Sequence, residues 1–155
     1  FDCSHGDTHV KKLHKVLAFA TAMACVPTVV QARDTTHYLD FQEVIQEATN
    51  AGRLDGSVKF YLGHAPAGAN IVSRNLTTSK KTNAFGKSDE NACSWVLQSA
   101  LIHLQEAAKR QGANAVVNLV SNYQHKEYKS RDKYECHAGA IMAGVALKGD
   151  FAKVR

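Results

Sequence analysis

The chain has 155 residues, 45% apolar and 21% charged, with a formal net charge of +5. That is ordinary globular composition at single-domain length, without internal repeats or low-complexity segments. The positive balance is moderate and interspersed with acids, which suits an anionic partner and argues against a dedicated nucleic-acid binder.

In chain order, the first feature is an apolar run. Lys11, Lys12 and Lys15 give it a positive start, Val16 to Ala24 is uncharged, and Pro27 breaks any helix. Val30-Gln31-Ala32 then offers a signal-peptidase site before Arg33. This is the three-part layout of a secretory signal peptide over residues 10–32, and its core falls short of the ~20 apolar residues of a membrane span. Residues 1–9, FDCSHGDTH, read as upstream sequence translated ahead of a start at Val10; a metal clip of Cys3, His5, Asp7 and His9 is the alternative. A retained N-terminal anchor is the alternative to cleavage, and Ala22-Met23-Ala24-Cys25 loosely resembles a lipobox, so lipidation at Cys25 is a further fate that would tie the protein to a membrane.

The mature domain is then residues 33–155. Asp40-Phe41-Gln42-Glu43 has the form of a capping box, with Leu39 and Val44 as a hydrophobic staple, and predicts a short helix from Phe41 to about Ala51, closed by Gly52. Val58, Phe60 and Leu62 alternate, predicting a strand over 56–63. A second, more exposed strand is expected from Asn70 to about Ser79. Ser88 caps the clearest helix, whose apolar stripe runs from Cys93 to Ala108 and which Gly112 ends. A strand follows over 114–121, then a charged connection over 123–133, then one last strand over 134–148. Segregated elements in the order α, β, β, α, β, β predict an α+β fold, with an antiparallel sheet of about four strands packed against one long and one short helix.

Two of the four cysteines, Cys93 and Cys136, survive cleavage at Ala32. In an oxidising compartment they predict one disulfide, closing a loop of about 44 residues and worth ~4 kcal/mol on the chain-entropy account. It would join the start of the long helix to the start of the last strand.

Catalytic chemistry is sought and not assembled. Asn83-Ala84-Phe85-Gly86-Lys87-Ser88 ends like a phosphate loop, but the position five residues before Gly86 is Lys81, where the motif needs glycine. Cys136 and His137 are adjacent, so on a strand they face opposite ways and form no nucleophile–base pair. The histidines lack the usual metal-ligand spacing, so no metal or other cofactor is expected. What remains is a mixed aromatic and cationic segment: Tyr123, His125, Lys126, Tyr128, Lys129, Arg131 and Lys133. Those residues suit an acidic protein patch or an anionic ligand. Lys80, Lys81 and Lys87 form a weaker basic cluster.

Two stretches, Lys109-Arg110-Gln111-Gly112-Ala113-Asn114-Ala115-Val116-Val117-Asn118-Leu119 and Tyr134-Glu135-Cys136-His137-Ala138-Gly139-Ala140-Ile141-Met142-Ala143-Gly144-Val145-Ala146-Leu147-Lys148, resemble a group of small exported proteobacterial proteins often labelled "excinuclease ATPase subunit". The label implies an ATPase, although the loop that activity requires is incomplete here. More widely, the helix, the G-A-N-A-V-V segment and the Cys-bearing strand resemble the Rcs stress-sensing lipoproteins and the YbjQ-like proteins. The Rcs resemblance implies a disulfide-bearing α+β domain in the envelope that works by contact with other proteins. Cys93 and Cys136 match one of that family's helix-to-strand disulfides, while a second Cys pair and a Pro-rich tether are missing.

The expectation is therefore a periplasmic domain without catalytic activity that binds or senses an envelope protein or anionic ligand through the 123–134 segment. The alternatives are an enzyme, either an ATPase or a thiol enzyme using Cys136, and a metal-binding protein using the scattered histidines with the cysteines.

Overall fold

The computed structural model describes residues 32–155. The expected leader, the prefix and Cys25 lie outside the described residues. Both predicted helices form for the anticipated reasons. Helix α1 (Phe41–Asn50) starts where the Asp40 carboxylate accepts the Glu43 amide at 2.9 Å, and it buries Phe41, Val44 and Ala48 at helical spacing. Helix α2 (Asp89–Arg110) starts where Ser88 Oγ accepts the Asn91 amide at 3.2 Å. Its stripe of Val96, Leu97, Ala100, Leu101, Leu104 and Ala108 is buried in the core.

The sheet is larger than the sequence predicts, and it is mixed. Seven strands form it: β1 (Thr35–Asp40), β2 (Lys59–Leu62), β3 (Asn70–Asn83), β4 (Ala115–Tyr123), β5 (Lys126–Tyr128), β6 (Lys133–Ala138) and β7 (Met142–Lys153). The order is β1-β6-β7-β4-β2, with β3 also on β7 and β5 also on β4. Strand β2 runs parallel to β4, and the other pairs are antiparallel. A parallel pair requires a long crossover, and the segment containing β3 and α2 supplies it.

Three corrections follow from particular residues. The expected single strand over 134–148 is two strands, because the chain turns at Gly139-Ala140-Ile141, where the Gly139 amide bonds the Met142 carbonyl at 2.8 Å. A Cβ on Gly139 would lie 2.8 Å from the Arg33 carbonyl oxygen, so the close approach there needs glycine. The charged connection contains β5. Strand β1, Thr-Thr-His-Tyr-Leu-Asp, carries no clean alternation, and it exists because β6 offers it a ladder from Thr35↔Ala138 to Asp40↔Lys133.

Strand β7 is the spine. One edge carries β3; the other carries β6 at its start, through His137↔Gly144, and β4 at its end, from Ser121↔Leu147 to Ala115↔Ala152. Because β6 and β4 share one edge of β7, the end of β4 meets β6, where Ser121 Oγ accepts the Glu135 amide at 2.9 Å. Two bulges help the curl. Asn118 in β4 and Asn75 in β3 both have positive φ, a conformation Asn tolerates better than most residues. Buried Asp150 accepts from both, at 3.1 Å from the Asn118 side chain and 2.9 Å from the Asn75 amide.

The predicted disulfide is present. Cys93 and Cys136 are bonded with Cα atoms 5.9 Å apart, and both are fully buried. It ties the start of α2 to β6, which is an inner strand beside β1 and not the terminal one. A second tie lies close by. The Arg33 guanidinium bonds both Asp89 oxygens at 2.8 and 2.9 Å and the Gly139 carbonyl at 2.9 Å, while His37 Nε2 meets Asp89 at 2.8 Å. These partners hold the Asp89 carboxyl down at about 2, the Arg33 hydrogen bonds first among the causes.

Candidate binding surface

Strands β4 and β5 form a hairpin whose two-residue turn is Gln124-His125, flanked by the pair Tyr123↔Lys126. Both turn residues have positive φ, 51° and 61°, the backbone of a type I′ turn built without glycine. The hairpin is pinned by its aromatic rings. Tyr123 stacks on His137 with ring centroids 3.5 Å apart and planes 14° from parallel, and Tyr128 meets Tyr38 at 4.5 Å.

The seven residues expected to contact a partner therefore divide. Tyr123 and Tyr128 are half-buried anchors. His125, Lys126, Lys129 and Arg131 are exposed, and none of these three Lys and Arg cations has a carboxylate within ion-pair distance among the described residues. Lys133 is half-buried with its ammonium 4.0 Å from Asp40. The hairpin's own acid, Glu127, is occupied by Lys148 at 2.6 Å. The aromatic groups thus serve as structure, and the cations are left for solvent or a ligand.

Beside the hairpin opens a groove of about 510 Å³. Tyr123 and His137 form one side, the Lys81 stem another, and Ile141 and Met142 the outer end. Gly144 also lines it. His137 is fixed by its ring nitrogens, Nε2 at 2.7 Å from Glu135 and Nδ1 at 3.3 Å from Asp34. Alternation along β6 puts Cys136 and His137 on opposite faces. Cys136 enters the core and the disulfide, and His137 enters the groove.

Cys136 carries no free thiol in this state, being bonded to Cys93. The 83–88 segment is a turn with one positive-φ glycine, Gly86, leading from β3 to α2. The histidines are dispersed: His37 at Asp89, His64 against Tyr61, His103 and His125 exposed, His137 in the groove. Among the described residues no three His, Cys, Asp or Glu side chains gather as metal ligands, and no helix is long and apolar enough to cross a membrane.

No family model, curated protein or solved structure matches the chain.

Proposed function

We propose that the protein is an exported, periplasmic binding domain without catalytic activity, which contacts an anionic envelope partner through the β4–β5 hairpin. The observation that carries this reading is the division of labour in the hairpin. Its tyrosines are held by Tyr38 and His137, its acid is neutralised by Lys148, and Lys126, Lys129 and Arg131 are exposed without an ion-pair partner among the described residues. A preordered basic surface loses little conformational entropy on binding and favours acidic partners by long-range attraction. Export is supported by the leader layout of residues 10–32, by a buried disulfide of the kind oxidising compartments sustain, and by Arg33. That residue, the first after the expected cleavage point, is already tied into the fold by Asp89 and Gly139.

The test is cross-linking in intact cells with Lys126→Glu, Lys129→Glu and Arg131→Glu combined. The expected result is loss of the cross-linked neighbours recovered with the parent chain, with melting unchanged. Equal recovery of the same neighbours rejects the hairpin as the contact surface.

A further inference from the structure

One end of the molecule carries an arrangement that the hairpin does not use. Asn83 of β3 lies opposite Met142 of β7, and beyond them the Ala84 amide bonds the Ile141 carbonyl at 2.7 Å, joining two loops. Asn83 Oδ1 accepts the Phe85 amide at 2.8 Å, a local turn that holds Phe85 at the tip. Three large apolar side chains are thereby displayed together: Phe85 is 76% exposed, Ile141 65% and Met142 46%. Packing explains none of these exposures. Scattered apolar residues are ordinary on surfaces, whereas neighbours on adjoining loop tips are not.

Charge surrounds them. Lys81 and Lys87, both exposed, and Lys80, half-buried on the other face of β3, have no carboxylate within ion-pair distance among the described residues. Lys87 Nζ reaches the Asn83 carbonyl at 3.0 Å, which keeps its cation at the tip. The nearby acids Asp34 and Glu135 are engaged by His137 and Asp89 by Arg33 and His37, while Glu90 is exposed in the first turn of α2. The end is thus net positive with an apolar point, and Ile141 and Met142 also line the groove.

We infer that this end seats on an anionic lipid bilayer. Phe85, Ile141 and Met142 enter the boundary between headgroups and acyl chains, and Lys80, Lys81 and Lys87 lie among the lipid phosphates. Apolar burial and electrostatic attraction to anionic lipid add in such binding, and neither alone holds a protein firmly. A protein partner would bury a broad face, while projecting tips ringed by cations match a soft, negatively charged surface. The inference goes beyond the hairpin reading and uses different residues.

The experiment is co-sedimentation of the oxidised full chain with phosphatidylcholine vesicles, with and without phosphatidylglycerol. The full chain is used for every variant, so any contribution of residues 1–31 is common to all. Lys81→Glu with Lys87→Glu should weaken partition onto anionic vesicles by more than tenfold, at about fivefold or more per lysine. Phe85→Ser with Ile141→Ser should weaken it similarly, and Lys126→Glu with Lys129→Glu should leave it near the parent value. In a Trp95→Phe background, Phe85→Trp should shift its emission to the blue when anionic vesicles are added. Circular dichroism checks that each variant is folded. Equal sedimentation of the parent and both tip variants, equal binding without phosphatidylglycerol, or no emission shift would overturn the inference. So would concentration-dependent dimerisation abolished by Phe85→Ser with Ile141→Ser, which would assign the tip to a second copy. Failure of the cross-linking test leaves these readouts untouched, and the reverse holds equally.

Discussion

At the scale of single residues, Asp89 links three parts of the chain. It meets Arg33 before β1, His37 within β1 and, through Arg33, the Gly139 turn. Its folded value near 2 lies below the ~3.9 of an unfolded aspartate. A carboxyl depressed by folding contributes stability that is present above the unfolded value and is lost as pH falls through the folded one. Between about pH 4 and pH 2 the parent should therefore lose stability more steeply than Asp89→Asn, measured by urea unfolding at fixed pH. Parallel pH profiles for the two proteins would show that Asp89 is not so engaged. Tyr134 presents a different case. Its ring packs on Phe41, its hydroxyl is buried without a hydrogen-bond partner among the described residues, and burial, aided by Glu47 and Glu43, pushes the phenol well above its usual range. Deleting an unsatisfied buried hydroxyl removes a desolvation cost of ~1 kcal/mol or more, so Tyr134→Phe should raise the urea midpoint. A lowered midpoint would mean that the hydroxyl has a partner in solution.

At the scale of elements, the hairpin turn is the most strained feature of the proposed surface. Gln124 and His125 both occupy the left-handed region, where Asn-Gly is the preferred pair for this turn. Gln124→Asn with His125→Gly should stabilise the fold by ~1 kcal/mol, read by thermal melting. A loss of stability would show that His125 makes a contact worth more than the strain. The same hairpin marks where sequence reasoning stops. Both helices were legible because Asp40, Ser88, Gly52 and Gly112 punctuate them and their apolar spacing is regular. Strand β2 was legible from alternation, and the Cys93–Cys136 pairing from cysteine count. Strand β1 was not, since its pairing with β6 spans nearly the whole domain and leaves no local signal in Thr-Thr-His-Tyr-Leu-Asp. The split between β6 and β7 was hidden because Ala138 to Ala143 reads as a continuous small apolar run. In the candidate site, the seven basic and aromatic positions were visible as a cluster. The stack of Tyr123 on His137, and the groove it borders, depend on the curl of the sheet and on contact between distant segments.

At the scale of the whole molecule, the disulfide joins the two layers. Helix α2 lies against the inner face of the sheet, and the Cys93–Cys136 bond crosses that boundary within the core. Replacing both cysteines by alanine should cost ~4 kcal/mol, most of it through a less constrained unfolded chain. A cost below ~1 kcal/mol, measured by urea unfolding, would remove the bond from its structural role. The leader layout and the anchoring of Arg33 are the support for the proposal that the domain leaves the cytoplasm before it oxidises. The proposed export would also give both basic surfaces a setting, since anionic lipid and envelope proteins would then be its nearest neighbours.

The most direct measurement is intact mass spectrometry with N-terminal sequencing of the protein recovered from the periplasmic fraction. The account predicts a chain beginning at or near Arg33, two hydrogens lighter than its reduced form. A protein recovered from the cytosol with the leader attached and free thiols at Cys93 and Cys136 would contradict it.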